Sequence, residues 1–184
     1  MRKYELTEET ETVGIRTLYR IKALIDFADV KAGELGGWIE GVNNLSQVGD
    51  AWVYGDARVS GNAWVYGNAR VYGDARVSGN AWVYGNARVS GNARVSGNAW
   101  VSGDAEVYGD AVVSGNADYI VFKNWWSSGR HFTWTRSNNM WCVGCFYGTG
   151  EELIKKAYSD SEKSGREYER IVKYVKSILT DEEN

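Results

Sequence analysis

Three groups of residues in this chain of 184 are of types that could do chemistry: the single histidine, His131; a C-x-x-C pair, Cys142 and Cys145; and five aspartates, Asp50, Asp56, Asp74, Asp104 and Asp110, at one fixed position of a repeat. A histidine can act as a general base, but the role needs a second group to orient the ring. No neighbour in sequence supplies one, so His131 reads as structural. The C-x-x-C could be a redox pair or half of a zinc site. MWCVGCF reads as one continuous strand, however, where residues three apart face opposite sides, and zinc would need further ligands. Two partly buried thiols are the expectation. The five aspartates alternate freely with asparagine, which fits a turn role better than calcium. No catalytic residue, metal or cofactor is therefore expected.

More informative are the side chains that a repeat must turn outward. From Gly49 the chain reads as twelve consecutive hexapeptides of the form G-[ND]-A-x-V-[YS], with alanine third in all twelve (Ala51 to Ala117) and valine fifth in eleven (Val53 to Val113). Within each copy A-x-V-x alternates apolar with variable, the period of a half-buried strand. Ala and Val then point inward. Gly followed by Asn or Asp supplies a corner, because both tolerate left-handed backbone angles. Three such sides close a coil of 18 residues, so twelve copies make four coils. Residues 18 apart should stack.

Sorted this way, one face carries Trp64, Trp82 and Trp100 beside Tyr66 and Tyr84, with Asn62, Asn80, Asn98 and Asn116 along its corner. A second carries Arg58, Arg76 and Arg94 beside Ser60, Ser78, Ser96 and Ser114. The third mixes Trp52, Arg70, Arg88 and Glu106 with Tyr54, Tyr72 and Tyr108. Trp, Tyr and Arg are the residues enriched at binding hot spots, and a contiguous exposed apolar patch marks an interface. The tryptophan–tyrosine and arginine ladders, with Arg70 and Arg88, are therefore interface candidates.

The elements that hold these faces follow from the flanks. Residues 1–48 read as an N-terminal β cap: TVGIRTLYRIKAL alternates like a strand, and GGWIEGV NNLSQV reads as two degenerate hexads that put Ile39 and Leu45 in the alanine register. Residues 49–120 are the solenoid. Residues 121–184 read as a small α/β module: three strands (YIVFKNWW, HFTWT, MWCVGCFYG), then two helices with capping boxes at Thr149/Glu152 and Ser164/Glu167. An apolar stripe of Tyr168, Ile171, Val172, Val175 and Ile178 should pack the second helix on the strands. The chain contains no proline, which suits stacked strands.

The pattern resembles the left-handed parallel β-helix of hexapeptide-repeat proteins, in which an aliphatic residue is followed four positions on by a small one, as Val53 by Ala57 and Val59 by Ala63. The left hand is what the resemblance implies; the general rule for parallel crossovers favours the other. LYRIKALIDFADVKAGELGGWIE, the GNARV repeats and GCFYGTGEEL also resemble an uncharacterised family of hexapeptide-repeat proteins from bacteriophages and prophages. Hexapeptide-repeat enzymes are typically acyltransferases with a histidine base beside the coils. Here no repeat position carries a histidine, so that activity ranks as an alternative.

Charge and hydropathy narrow the rest. Net charge is −3, and five arginines face six aspartates and one glutamate in residues 49–120, which argues against a phosphate-binding groove for duplex DNA. No apolar run approaches the roughly 20 residues of a membrane span; the N-terminus has no signal-peptide pattern, and the expected address is the host-cell cytoplasm. The sequence alone thus reads as a non-enzymatic, phage-derived binding protein, expected to inhibit a host defence protein such as a CRISPR nuclease. Alternatives are a sink for a nucleotide or sugar, an acyltransferase-like enzyme, and a self-assembling structural protein or homo-oligomer.

Overall fold

The computed structural model describes residues 2–181. An antiparallel hairpin, β1 (Tyr4–Val13) and β2 (Arg16–Ala23), pairs with β3 (Leu35–Ile39), and β3 runs parallel to the first solenoid strand of its face. Eleven strands of two residues each follow, from Trp52–Val53 to Val112–Val113. They sort into three parallel stacks in which each strand pairs with the one 18 residues on, as Trp82 with Trp100, Arg76 with Arg94 and Arg70 with Arg88. The body is a three-sided parallel β-solenoid of about four turns.

The A-x-V alternation does what the period requires. Every alanine from Ala51 to Ala111 and every valine at the fifth repeat position, from Val53 to Val113, is fully buried in one continuous core. Ladder bonds between coils hold it, such as Trp64 N–H to Ala81 C=O at 2.9 Å and Tyr66 N–H to Val83 C=O at 3.0 Å. Corners turn through glycine. At Gly85, φ is +70°, and a Cβ there would stand 2.9 Å from the backbone nitrogen of Gly103, one coil away. Both the left-handed backbone and the close approach of coils exclude a side chain.

Four expectations are corrected. Ile39 and Leu45 pair with Val59 and Val65, so they extend the valine column and not the alanine one. The Ser46–Asp50 corner is two residues longer than a hexad corner, which shifts the register. The twelfth repeat does not wind: Ala117 is exposed in a short 3-10 turn, Asn116–Asp118. There Asp118 Oδ2 accepts from the backbone N–H groups of Ser114 and Gly115. The C-terminal sheet has four antiparallel strands where three were read: Tyr119–Lys123, His131–Thr135, Met140–Val143 and Phe146–Gly148. MWCVGCF is a hairpin, with Val143 paired to Phe146 across a two-residue turn whose first residue, Gly144, has φ +59°. A glycine with positive φ at that position is the type II′ signature. Finally, α2 (Glu162–Asp181) is capped by Ser161, whose Oγ accepts from Ser164 N–H, three residues before the expected start.

Helix α1 (Gly150–Asp160) begins as read, with Thr149 Oγ1 accepting from Glu152 N–H and Glu152 Oε2 accepting from Thr149 N–H. The helices cover a second core of Phe132, Trp134, Trp141, Leu153, Tyr168, Val172 and Val175. This module docks on the last coils. Thr133 Oγ1 accepts from Glu106 N–H, and Ser137 Oγ accepts from Val112 N–H, which closes open strand edges that would otherwise invite aggregation. Among the described residues, no helix is long and apolar enough to cross a membrane.

Candidate functional site

The three faces have different fates. Trp52 is fully buried: Tyr4 and Phe27 of the N-terminal cap pack edge-on against it. Its outward position in the repeat does not expose it, because the cap lies across the first coil. The aromatic ladder, by contrast, stays open, with Trp64, Trp82 and Trp100 at 37%, 37% and 47% exposure. Its rings stack on one another, Trp82 on Trp100 at 5.3 Å and Tyr66 on Tyr84 at 4.9 Å. Much of the ring area that looked available for a partner is therefore spent within the ladder. On the second face Arg58 is engaged by Glu11 of β1, while Arg76 and Arg94 are exposed.

The mixed face forms a groove. At one end Arg70 pairs with Asp29 of the cap at 2.8 Å, and Tyr54 donates to the same carboxylate at 3.0 Å. At the other end stands the C-terminal module. Two adjoining cavities lie at that junction. One, of about 220 Å³, is bounded by Tyr72, Arg88, Tyr108, Cys142, Phe146 and Tyr147. The other, of about 420 Å³, is bounded by Asn86, Arg88, Asp104, Glu106, Arg130 and His131, with Gly144 at the rim. Arg88, Glu106 and Gly144 belong to both.

His131 opens its strand at the groove, and its Nδ1 lies 3.0 Å from Asp104 Oδ2 on the solenoid corner. Asp104 is itself held, since Asn86 Nδ2 donates to its Oδ1 at 3.0 Å and Asn68 Nδ2 in turn donates to Asn86 Oδ1 at 3.2 Å. A carboxylate at the end of this asparagine ladder accepts from the ladder with one oxygen and faces the imidazole with the other. The reading of His131 as a histidine without an orienting partner is thereby corrected. The two residues are distant in sequence and meet only because the module docks. In sequence the corner column reads Asp50–Asn68–Asn86–Asp104, and its return to aspartate at the last step is shared by Asn92–Asp110 of the next corner, so it did not mark the site.

The cysteines are held apart in environment. Cys142 is buried, donates to Glu106 Oε2 at 3.2 Å, and has its thiol pKa pushed up to about 12, by burial first and then by that carboxylate. Cys145, in the hairpin turn, is exposed. Glu106 Oε1 also stands 3.6 Å from Arg88 Nη1. Tyr147 closes the inner wall: its ring meets Tyr108 edge-on at 4.9 Å, and its hydroxyl accepts from Asn138 Nδ2. Glu106, Arg130 and Tyr147 were not singled out from sequence for this site, and only Arg88 of the interface candidates lies in it.

The comparisons with known proteins point the same way on fold. The YdcK Beta solenoid repeat family model matches residues 51–67, 63–78, 69–85 and 87–103. This chain is a repeat β-solenoid protein. A curated relative, named Uncharacterized acetyltransferase YdcK, from Escherichia coli (strain K12), is 36% identical over 80 residues, 39% of this chain and 24% of that protein. The match thus spans about a quarter of the relative's length. These similarities overturn the expectation of a non-enzymatic inhibitor of host defence. They run to a repeat protein named for acetyl transfer, which fits the acyltransferase-like alternative better.

Proposed function

We propose that the groove between the mixed face and the C-terminal module carries out acyl transfer from a thioester such as acetyl-coenzyme A to a hydroxyl or amine acceptor, with His131 as general base. The observation that carries this reading is the 3.0 Å approach of His131 Nδ1 to Asp104 Oδ2 beside a cavity. The name of the curated relative supports it.

The chemistry follows from which nitrogen is occupied. With Nδ1–H toward Asp104, Nε2 is the basic nitrogen. It takes the proton from the acceptor as the acceptor's oxygen or nitrogen attacks the thioester carbonyl carbon. Collapse of the tetrahedral intermediate breaks the C–S bond, and the imidazolium returns the proton to the departing thiolate. Asp104 steadies the imidazolium in between, and Asn86 fixes the carboxylate that does so.

Acetyl-coenzyme A consumption, measured against a panel of hydroxyl and amine acceptors, tests this. Turnover should appear with at least one acceptor and should fall about 10²–10⁴-fold in His131→Ala, the usual contribution of a general base. Turnover that His131→Ala leaves unchanged, or none with any acceptor, overturns it.

A further inference from the structure

The groove holds three arginines, and they are not equivalent. Arg70 is fully committed: its guanidinium meets Asp29 at 2.8 and 3.1 Å, and its plane lies near the Tyr54 ring. Among the described residues, the ion pair of Arg88 is the 3.6 Å approach to Glu106 Oε1, beyond hydrogen-bonding distance, and its side chain is 54% exposed. Arg130 makes no ion pair among the described residues. Its backbone, however, is fixed at both ends, the N–H donating to Ser128 Oγ and the C=O accepting from Asn124 N–H. The Arg130 guanidinium sits by the Gly144 turn, where an added Cβ would lie 3.6 Å from its Nη1.

The acids of the same cavity are already occupied. Asp104 has one oxygen on Asn86 and the other facing His131, and Glu106 Oε2 accepts from the Cys142 thiol. The cationic side chains that line this cavity with His131 and keep unspent donors are two guanidinium groups, one from the solenoid and one from the module. Guanidinium forks match the oxygens of phosphate and carboxylate two at a time. We infer that Arg88 and Arg130 form an anion subsite beside His131 that takes the phosphate or carboxylate group of a substrate. This inference rests on the acyl-transfer reading for the identity of the reaction, though not for the existence of the subsite.

The direct test is titration of the full chain with inorganic pyrophosphate, followed through the arginine Nε–Hε signals in ¹H–¹⁵N NMR. Saturable shifts are expected at Arg88 and Arg130. Apparent affinity should fall at least ten-fold in the Arg88→Gln/Arg130→Gln double variant and stay at the wild-type value in Arg94→Gln, on another face. Absence of saturation, or equal binding by the double variant, overturns the inference.

Two donors separate the source of the anion. Should it belong to coenzyme A, the double variant loses at least ten-fold in kcat/KM with acetyl-coenzyme A and nothing with S-acetylpantetheine. Should it belong to the acceptor, both donors suffer equally; an unaffected kcat/KM with both overturns the inference. Pyrophosphate binding without His131-dependent turnover would sink the acyl-transfer reading alone, and turnover indifferent to the two arginines would sink the subsite alone.

Discussion

Asn86 Nδ2 donates to Asp104 Oδ1 at 3.0 Å, while the other oxygen of that carboxylate lies 3.0 Å from His131 Nδ1. A structural ladder that runs up one corner of the solenoid therefore ends on a catalytic candidate. Removing its last rung should act on turnover and little on folding. Asn86→Ala should lower kcat/KM for acetyl-coenzyme A about ten-fold, and Asp104→Asn by more, since a neutral amide cannot stabilise an imidazolium. Melting temperatures within a few degrees of wild type would separate positioning from unfolding. Full activity in Asp104→Asn would remove Asp104 from the site.

The two thiols should react unequally. With Cys142 buried and its pKa pushed up to about 12, alkylation by iodoacetamide at pH 8 should label Cys145 alone in the folded protein. The second label should appear only in denaturant. Mass spectrometry of the labelled peptides reads this, and rapid native labelling of Cys142 would contradict its packing against Glu106.

Lys3 gives the chain a pH dependence of defined sign. It is only 2% exposed, and its Nζ donates to the carbonyls of Gly49 and Ala51, an arrangement that a neutral amine with two N–H groups also satisfies. Burial, partly offset by Asp50, holds its pKa down from 10.5 to about 8. Above the folded value and below the unfolded one, the unfolded chain binds a proton that the folded chain lacks, so stability rises with pH across that window. It is lost again as pH falls through the folded value. Denaturant midpoints between pH 7.5 and about pH 9, before tyrosines titrate, should rise in wild type relative to Lys3→Met, in which the raised thiol of Cys142 leaves an opposing, downward slope over the same range. A slope of equal size in both proteins would assign the effect elsewhere.

The corners are the least tolerant positions of the body. Gly85→Ala puts a Cβ on a φ of +70° and 2.9 Å from Gly103 N. The left-handed backbone alone costs about 1–2 kcal/mol, and separating two coils adds to it. Chemical denaturation should show a loss of about 2 kcal/mol or more; a loss under about 0.5 kcal/mol would mean that the coils are less closely stacked than described.

Much of the body could be read from sequence because each Ala and Val is placed by a local period and by an identical neighbour 18 residues away. That logic placed all three faces, and it erred wherever a non-repeating segment decided the outcome. Trp52 is outward by register but buried by Phe27 and Tyr4. Ile39 and Leu45 changed column because of one long corner. Gly144 and Cys145 hide a hairpin turn inside an apolar run. The candidate site was illegible for the same reason. His131 and Asp104 belong to different modules, and their approach depends on Thr133 and Tyr147 docking the sheet against the last coils.

Acyl transfer in this groove requires His131 to act from its place beside Asp104. Acetyl-coenzyme A turnover by wild type and by His131→Ala, each confirmed folded by its melting curve, is the deciding comparison. A loss of about 10²–10⁴-fold in the variant is expected from removal of a general base. Equal turnover by two equally folded proteins would contradict it.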